Sequence, residues 1–279
     1  RVIALTSGTV TGDYEVKGLE QLKGDNAKAL QLDWYHQTSN PTGYWVVESD
    51  TATPVLCEFA GYTRERETAI EPDTSWYNTT DKDFHIDTAA ELLGLSELSR
   101  DYDFSGQNIY LDADIVLNNK TVEQMKNKAP LNVWTPIGFY AEGTGQEFKG
   151  TFNGQGNTIS GIYTVTNEQS HVGLFGTIGA GGKVENLKLT ESYFANSYQT
   201  SKNATNYAYM GSVAGVLYGT IDSVYSEATL NNASQYTGGI AGVMLGAAND
   251  GEYVITNCWY NGETTIGSNK SGGIIGAVN

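Results

Sequence analysis

Positive charge is scarce in this chain. Sixteen Lys and Arg stand against 32 Asp and Glu, a formal charge of −16, with no basic stripe to offset it. A phosphate backbone would be repelled by such a surface, so nucleic acid is excluded as a partner and an anionic membrane is disfavoured. No run of 18 apolar residues exists, so no direct membrane insertion is expected. Cysteine is almost missing: Cys57 and Cys258 lie about 200 positions apart with no second pair near either. They read as buried free thiols, with a disulfide or a metal role as the alternative. Only 5 prolines and 17% charged residues accompany 33 glycines and 18 tyrosines, a balance that fits a turn-rich β protein better than a helical or disordered one. The chain opens on Arg1 without a signal peptide, which reads as a mature chain or a piece of a longer one.

Catalytic signatures are missing too. There is no His-Glu-x-x-His motif, and His36, His85 and His171 are too dispersed to share a helix. Gly211-Ser212-Val213-Ala214-Gly215 has its serine in the wrong place for a nucleophile elbow. Gly179-Ala180-Gly181-Gly182-Lys183 imitates a phosphate loop, but Thr177 stands where that loop needs glycine and Val184 where it needs a hydroxyl.

What is present is a repeat. Gly173-Leu174-Phe175-Gly176 is followed by Val184-Glu185-Asn186-Leu187-Lys188-Leu189. The pattern returns as Gly211 to Gly215 with Ile221-Asp222-Ser223-Val224, then as Gly239-Ile240-Ala241-Gly242 with Ile255-Thr256-Asn257-Cys258. A last box is Gly273-Ile274-Ile275-Gly276. The closing glycines are about 39, 27 and 34 residues apart, within the range of stacked repeat architectures. In a parallel stack each turn of chain buries four or five aliphatic side chains, worth on the order of 10 kcal/mol per turn before conformational entropy is subtracted. Glycine is expected at the corners because they need positive φ or close backbone approach. The structural glycines on this reading are Gly154, Gly161, Gly173, Gly176, Gly215, Gly239, Gly242, Gly273 and Gly276. Asn186, Ser223 and Asn257 occupy matching places and would stack as a polar ladder.

Upstream, Thr88-Ala89-Ala90-Glu91 has capping-box spacing, and Ala89, Leu92, Leu93 and Leu95 give an apolar face. Gly94 weakens that helix by up to about 1 kcal/mol. So short a helix must pack on something, and the open end of the stack is the natural place. Gln107 to Leu117 alternates strictly, as one strand would. Thr121 to Lys126 is a candidate helical turn. Before residue 83 the pattern differs: Val2 to Leu5, Tyr14 to Val16, Tyr44 to Val47 and Pro54 to Phe59 are strand candidates, Leu19 to Leu32 a helix and strand, and Thr63 to Asp83 a linker or exposed loop. The expected domains are a small β-rich α+β unit over 1–82 and a repeat module over 83–279.

The order of helix, Asp103-Phe104-Ser105-Gly106, Asp114-Ile115-Val116-Leu117, Trp134-Thr135-Pro136-Ile137-Gly138, Phe148-x-Gly-x-Phe-Asn-Gly-x-Gly-x-x-Ile-Ser-Gly161, then Gly-Leu-Phe-Gly boxes resembles the GLUG-repeat β-helix of bacterial cell-surface and immunoglobulin A1 peptidase-like proteins. The resemblance covers Phe84 to Asn279. It implies an all-β, right-handed parallel β-helix with an N-terminal capping helix, displayed outside the cell as a non-enzymatic scaffold or adhesive module. Its implied partners are host or cell-wall protein or glycan and further modules of the same polypeptide; no cofactor or catalytic residue is implied. The segment before residue 83 resembles, more loosely, the part that closes a preceding β-helix.

Two other readings stay open. Asp101/Asp103 and Asp112/Asp114 are spaced as the acids of β-helix polysaccharide lyases and glycosidases are, and are calcium candidates. Trp34, Tyr35, Trp76 and Tyr77 are glycan-platform candidates, since aromatic faces stack on pyranose rings. The last box ends at Asn279 with an apolar edge, so a further turn of chain or a neighbouring molecule is expected to cover it.

Overall fold

The computed structural model describes residues 68–138, 140–141, 144–197, 208–232, 236–246, 253–266 and 270–278, together with four short strands before residue 57. The chain divides into Arg1–Thr68 and Ala69–Asn279. In the first unit Val2–Ile3 pairs parallel with Glu15–Val16, and Trp45–Val46 pairs antiparallel with Val55–Leu56. The helix expected over Leu19 to Leu32 lies outside the described residues, as do Cys57 and His36.

The second unit is mostly strand, and its sheets run parallel apart from one two-stranded antiparallel hairpin, Tyr140–Ala141 with Thr144–Gly145. Three four-stranded sheets each take one strand from successive segments of chain. A tyrosine-led sheet joins Tyr163–Thr166, Tyr193–Asn196, Thr229–Asn232 and Thr264–Ile266. A second joins His171–Val172, Tyr209–Gly211, Tyr236–Gly238 and Lys270–Gly272. The third, holding the glycine boxes, joins Phe175–Ile178, Ala214–Leu217, Ala241–Met244 and Ile275–Val278. A longer sheet runs Asp83–Ile86, Asn108–Leu111, Thr151–Asn153, Lys183–Thr190, Thr220–Ser226 and Val254–Thr256, with Ile115–Val116, Thr158–Ser160 and Trp259–Tyr260 on a side ladder. Each sheet thus orders its strands as the sequence orders its repeats, and the segments form tiers.

Register makes the tiers equivalent. Phe152, Val184, Ile221 and Ile255 pair in line, as do Leu187 with Val224 and Phe175 with Ala214 and Ala241. Parallel pairing of like residues places apolar side chains over one another, and Phe152, Val184, Leu187, Ile221 and Val224 are almost wholly buried in one core. At its base an aromatic column steps through the tiers. Ring centroids are 5.2 Å apart for Tyr77 and Phe104, 5.8 Å for Phe104 and Phe148, and 5.0 Å for Phe148 and Phe175. Above Phe175 the column gives way to Ala214 and Ala241.

Helix α1, Ala89–Leu98, carries the capping box: Thr88 accepts from the Glu91 amide while the Glu91 carboxylate accepts from the Thr88 amide. Leu92 and Leu95 insert into the core. Ser96 Oγ donates to the Thr135 carbonyl, and Ser99 Oγ accepts from the Gly138 amide at 3.0 Å. The Trp134 to Gly138 segment is thereby tied to the helix on one side, and Trp134 Nε1 donates to the Leu174 carbonyl on the other. Helix α2, Val122–Asn127, has its own capping box from Thr121 and Gln124.

Two expectations need revising. The unit boundary falls at 68/69 rather than 82/83, because residues 69–82, the exposed loop of the two alternatives, are tied to the core at four points: the Asp73 amide donates to the Ala90 carbonyl, the Ile70 amide to Asn132 Oδ1, and Trp76 and Tyr77 cover the base. That packing also explains Gly94, since a Cβ there would collide with the Asp73 carbonyl. Gln107 to Leu117 is two strands, broken at Asp112-Ala113-Asp114, although Ile109, Leu111, Ile115 and Leu117 all point inward as the alternation requires.

The corners turn by one of the two routes expected of them. Among the glycines singled out, only Gly161 has positive φ, +73°, against the backbone of Asn118. The others serve close approach. A Cβ on Gly176, Gly215 or Gly242 would lie 2.6, 2.9 and 2.6 Å from the carbonyl oxygen of Gly138, Gly176 and Gly215 in turn, and Gly276 meets the Gly242 carbonyl in the same way. Gly154, Gly173 and Gly239 also abut neighbouring backbone, while Gly273 faces open space. Left-handed backbone falls instead on the polar ladder: Asn186, Ser223 and Asn257 have φ of 52°, 56° and 51°.

Candidate functional site

Those three residues bend the long sheet. In Lys183–Thr190 the burial alternates until Glu185 and Asn186, which both face outward, before Leu187 turns in again. A left-handed residue allows this doubling, and Asn tolerates it better than most side chains. Register repeats the bend: Glu185 pairs with Asp222 and Asp222 with Thr256, while Lys188 pairs with Tyr225 and Tyr225 with Trp259. The outcome is an open groove of about 670 Å³ lined by Asn153, Gln155, Asn186, Lys188, Tyr225 and Trp259 among others.

Its polar groups are held in place. Asn186 Nδ2 donates to Asn153 Oδ1 at 3.3 Å, and Asn257 Nδ2 to Asp222 Oδ1 at 2.9 Å. Gln155 Nε2 donates to the Leu111 carbonyl and to Asp112 Oδ1, at 3.2 and 2.6 Å. The Tyr225 hydroxyl donates to Glu227, which pushes its pKa up. Asp222 is held below the usual carboxylate range by donation from Thr256 and then Asn257. Trp259 is 67% exposed, more than any other large hydrophobic side chain among the described residues.

The acidic candidates do not converge. Asp103 Oδ1 accepts from the Ser105 amide at 3.0 Å, and Lys149 Nζ lies 3.8 Å from its other oxygen. Asp101 offers its backbone carbonyl to Gln146. Asp112 accepts from His85 Nδ1 at 2.9 Å, its pKa lowered chiefly by that bond. Asp114 Oδ1 accepts from the Thr158 amide at 2.7 Å. These carboxylates cap and bridge tiers, and no group of three or more His, Cys, Asp or Glu side chains able to hold a metal occurs among the described residues. The Asp112 and Asp114 pair flanks the strand break that the sequence concealed.

Of the aromatic candidates, Trp34 and Tyr35 lie outside the described residues. Trp76 and Tyr77 are turned to structural use: both pack on Phe84, at 5.6 and 5.2 Å between centroids, and Tyr77 also meets Phe104. Trp76 and Tyr77 thus pack at the base of the core. Repeat alignment, which puts Tyr225 and Trp259 both at the Lys188 position, is the signal that finds them.

His171 is half-buried at the start of a short strand, beside buried Val172, with Nδ1 2.8 Å from Thr177 Oγ1. Burial pushes its pKa down to about 4, so it is neutral at pH 7. The Cys258 thiol is free and raised in pKa by burial, the reverse of an activated nucleophile.

No family model matches the chain, and no solved structure matches it. Two curated proteins are similar over part of it. A Gly-rich membrane protein from Evansella cellulosilytica is 38% identical over 94 residues, 34% of this chain and 10% of that protein. Halomucin from Haloquadratum walsbyi is 32% identical over 102 residues, 37% of this chain and 1% of that protein. The chain spans a small fraction of either relative's length. No helix among the described residues is long and apolar enough to cross a membrane.

Proposed function

We propose that residues 69–279 wind as a right-handed parallel β-helix of the GLUG-repeat type, and that this module is a non-enzymatic extracellular scaffold of a larger surface protein, with an adhesive face. The observation that carries the reading is the in-line parallel register of successive segments, with apolar residues over apolar residues in the long sheet and glycine over glycine in the glycine-box sheet. A stack of this kind extends by adding tiers, each stabilised by its neighbours, which suits a spacer. Partial similarity to a membrane protein and to halomucin supports display at the cell surface. The test is labelling of intact cells of the source organism with antibody raised against residues 69–279. Staining of unbroken cells, lost after mild surface proteolysis, is expected; staining only after lysis would contradict the proposal.

A further inference from the structure

The outward bend carries chemistry that a spacer does not need. Along one side, Lys188, Tyr225 and Trp259 follow one another in register on successive tiers. Along the other stand Asn186, Ser223 and Asn257, with Asn153 and Gln155 at the foot. An indole 67% exposed beside a pre-formed concavity is an unusual use of the residue. The amides are already oriented from behind, by Asn153, Asp222, Leu111 and Asp112. Each amide has two donor hydrogens and a carbonyl with two lone pairs, so Asn186 and Asn257, with one anchoring bond each, keep a donor and the carbonyl for a ligand, and Gln155, with both donors used, keeps its carbonyl as an acceptor.

We infer that this groove binds a neutral oligosaccharide of pyranose units, one ring face on Trp259 and the next on Tyr225, with ring hydroxyls bonded to Asn257, Asn186 and Gln155. A pyranose has an apolar face of C–H groups and a rim of hydroxyls that both donate and accept, which matches an aromatic column beside an amide column. Successive strands are about 4.7–4.9 Å apart, close to the width of one sugar ring, so adjacent tiers can take adjacent residues. Competing ligands fit less well. An acidic polymer meets Glu185 and Asp222 on the adjoining column and a single lysine, Lys188, in the groove. A peptide adding as a strand finds the tier backbones already paired on both sides at Lys183–Thr190 and Thr220–Ser226.

The inference names a ligand class for the adhesive part of the preceding proposal and rests on it. Its test is calorimetric titration of the 279-residue chain with cellohexaose, maltohexaose, mannohexaose and chitin hexaose, alongside hyaluronan hexasaccharide as the acidic control. At least one neutral hexaose should bind, about tenfold more weakly to Trp259→Ala, with Trp259→Phe recovering part of the loss. Because Trp259 is exposed, Trp259→Ala should melt with the parent, and the melt separates lost binding from lost fold. No neutral binding at concentrations on the order of 10 mM, binding only to the acidic control, or neutral binding undiminished in Trp259→Ala would each overturn the groove. Unchanged melting and surface labelling in those cases would leave the scaffold proposal standing.

Discussion

Gly242→Ala should loosen the stack, whereas Gly273→Ala should not. Both residues belong to the glycine boxes, and neither has positive φ, so alanine meets no backbone strain at either. What differs is what lies opposite. A Cβ at Gly242 would fall 2.5 Å from the Met210 amide nitrogen and 2.6 Å from the Gly215 carbonyl oxygen, whereas at Gly273 nothing lies within 4 Å. Main-chain atoms locked in a ladder cannot rotate away, so the tiers must part. Overpacking of this kind costs about 1–3 kcal/mol, and immovable partners place Gly242→Ala near the top of that range. Restricting the unfolded chain returns about 0.4–1 kcal/mol to any Gly→Ala change. The net is a loss of about 2 kcal/mol for Gly242→Ala and a neutral or slightly favourable effect for Gly273→Ala. For a unit of this size that separates their melting temperatures by roughly 4–8 °C. Urea titration followed by both circular dichroism and tryptophan fluorescence would measure it, since coincident curves are needed before a single free energy is meaningful for stacked repeats. Variants differing by less than about 0.5 kcal/mol would refute the close-approach argument, that being the usual spread of neutral substitutions.

Thr88→Ala removes one half of the α1 capping box and should cost about 1 kcal/mol, read as a lower urea midpoint; a shift below the error of the titration would mean the core alone holds the helix. Ser223→Val should destabilise by about 1–2 kcal/mol, because a β-branched residue is poorly accommodated at φ of 56°, whereas Ser223→Gly should be neutral or better. If the two variants unfold alike, the corner is not left-handed. His171 gives a pH dependence. Its folded pKa of about 4 lies below the ordinary 6.5, so the unfolded chain takes up the proton first. Its contribution is full above about pH 6.5 and is lost as pH falls to about 4, by at most about 3 kcal/mol. His171→Gln should flatten that limb of the stability curve, and an unchanged slope between pH 7 and 4.5 would contradict the burial of the imidazole.

Local signals with short reach were readable from residues alone. The capping box at Thr88 depends on contacts three residues apart, and α1 begins there; the candidate turn at Thr121 to Lys126 is likewise a short helix, Val122–Asn127. Inward alternation survived as well, since Ile109, Leu111, Ile115 and Leu117 are buried. That same alternation hid the break at Asp112 to Asp114, because the apolar period continues across it. Trp76 and Tyr77 looked exposed among charged neighbours; only contact with the distant Phe84 and Phe104 makes them part of the base. At the corners, glycine was open to two explanations, positive φ or close approach; tier spacing requires the missing Cβ, and the left-handed residues of the bend are polar ones. The pairs Glu185-Asn186 and Asp222-Ser223, each two outward residues interrupting an inward-outward pattern, were the local traces of that bend. The groove beside it depends on register between segments more than 30 residues apart, which no window along the chain contains.

The central claim is that the repeats lie over one another as turns of a right-handed parallel helix. X-ray diffraction from crystals of residues 69–279 tests it most directly. The account predicts Gly176, Gly215, Gly242 and Gly276 in one column parallel to the stack, with each turn of chain advancing right-handedly by one strand spacing. Antiparallel pairing between neighbouring repeats, or turns of the opposite hand, would contradict it.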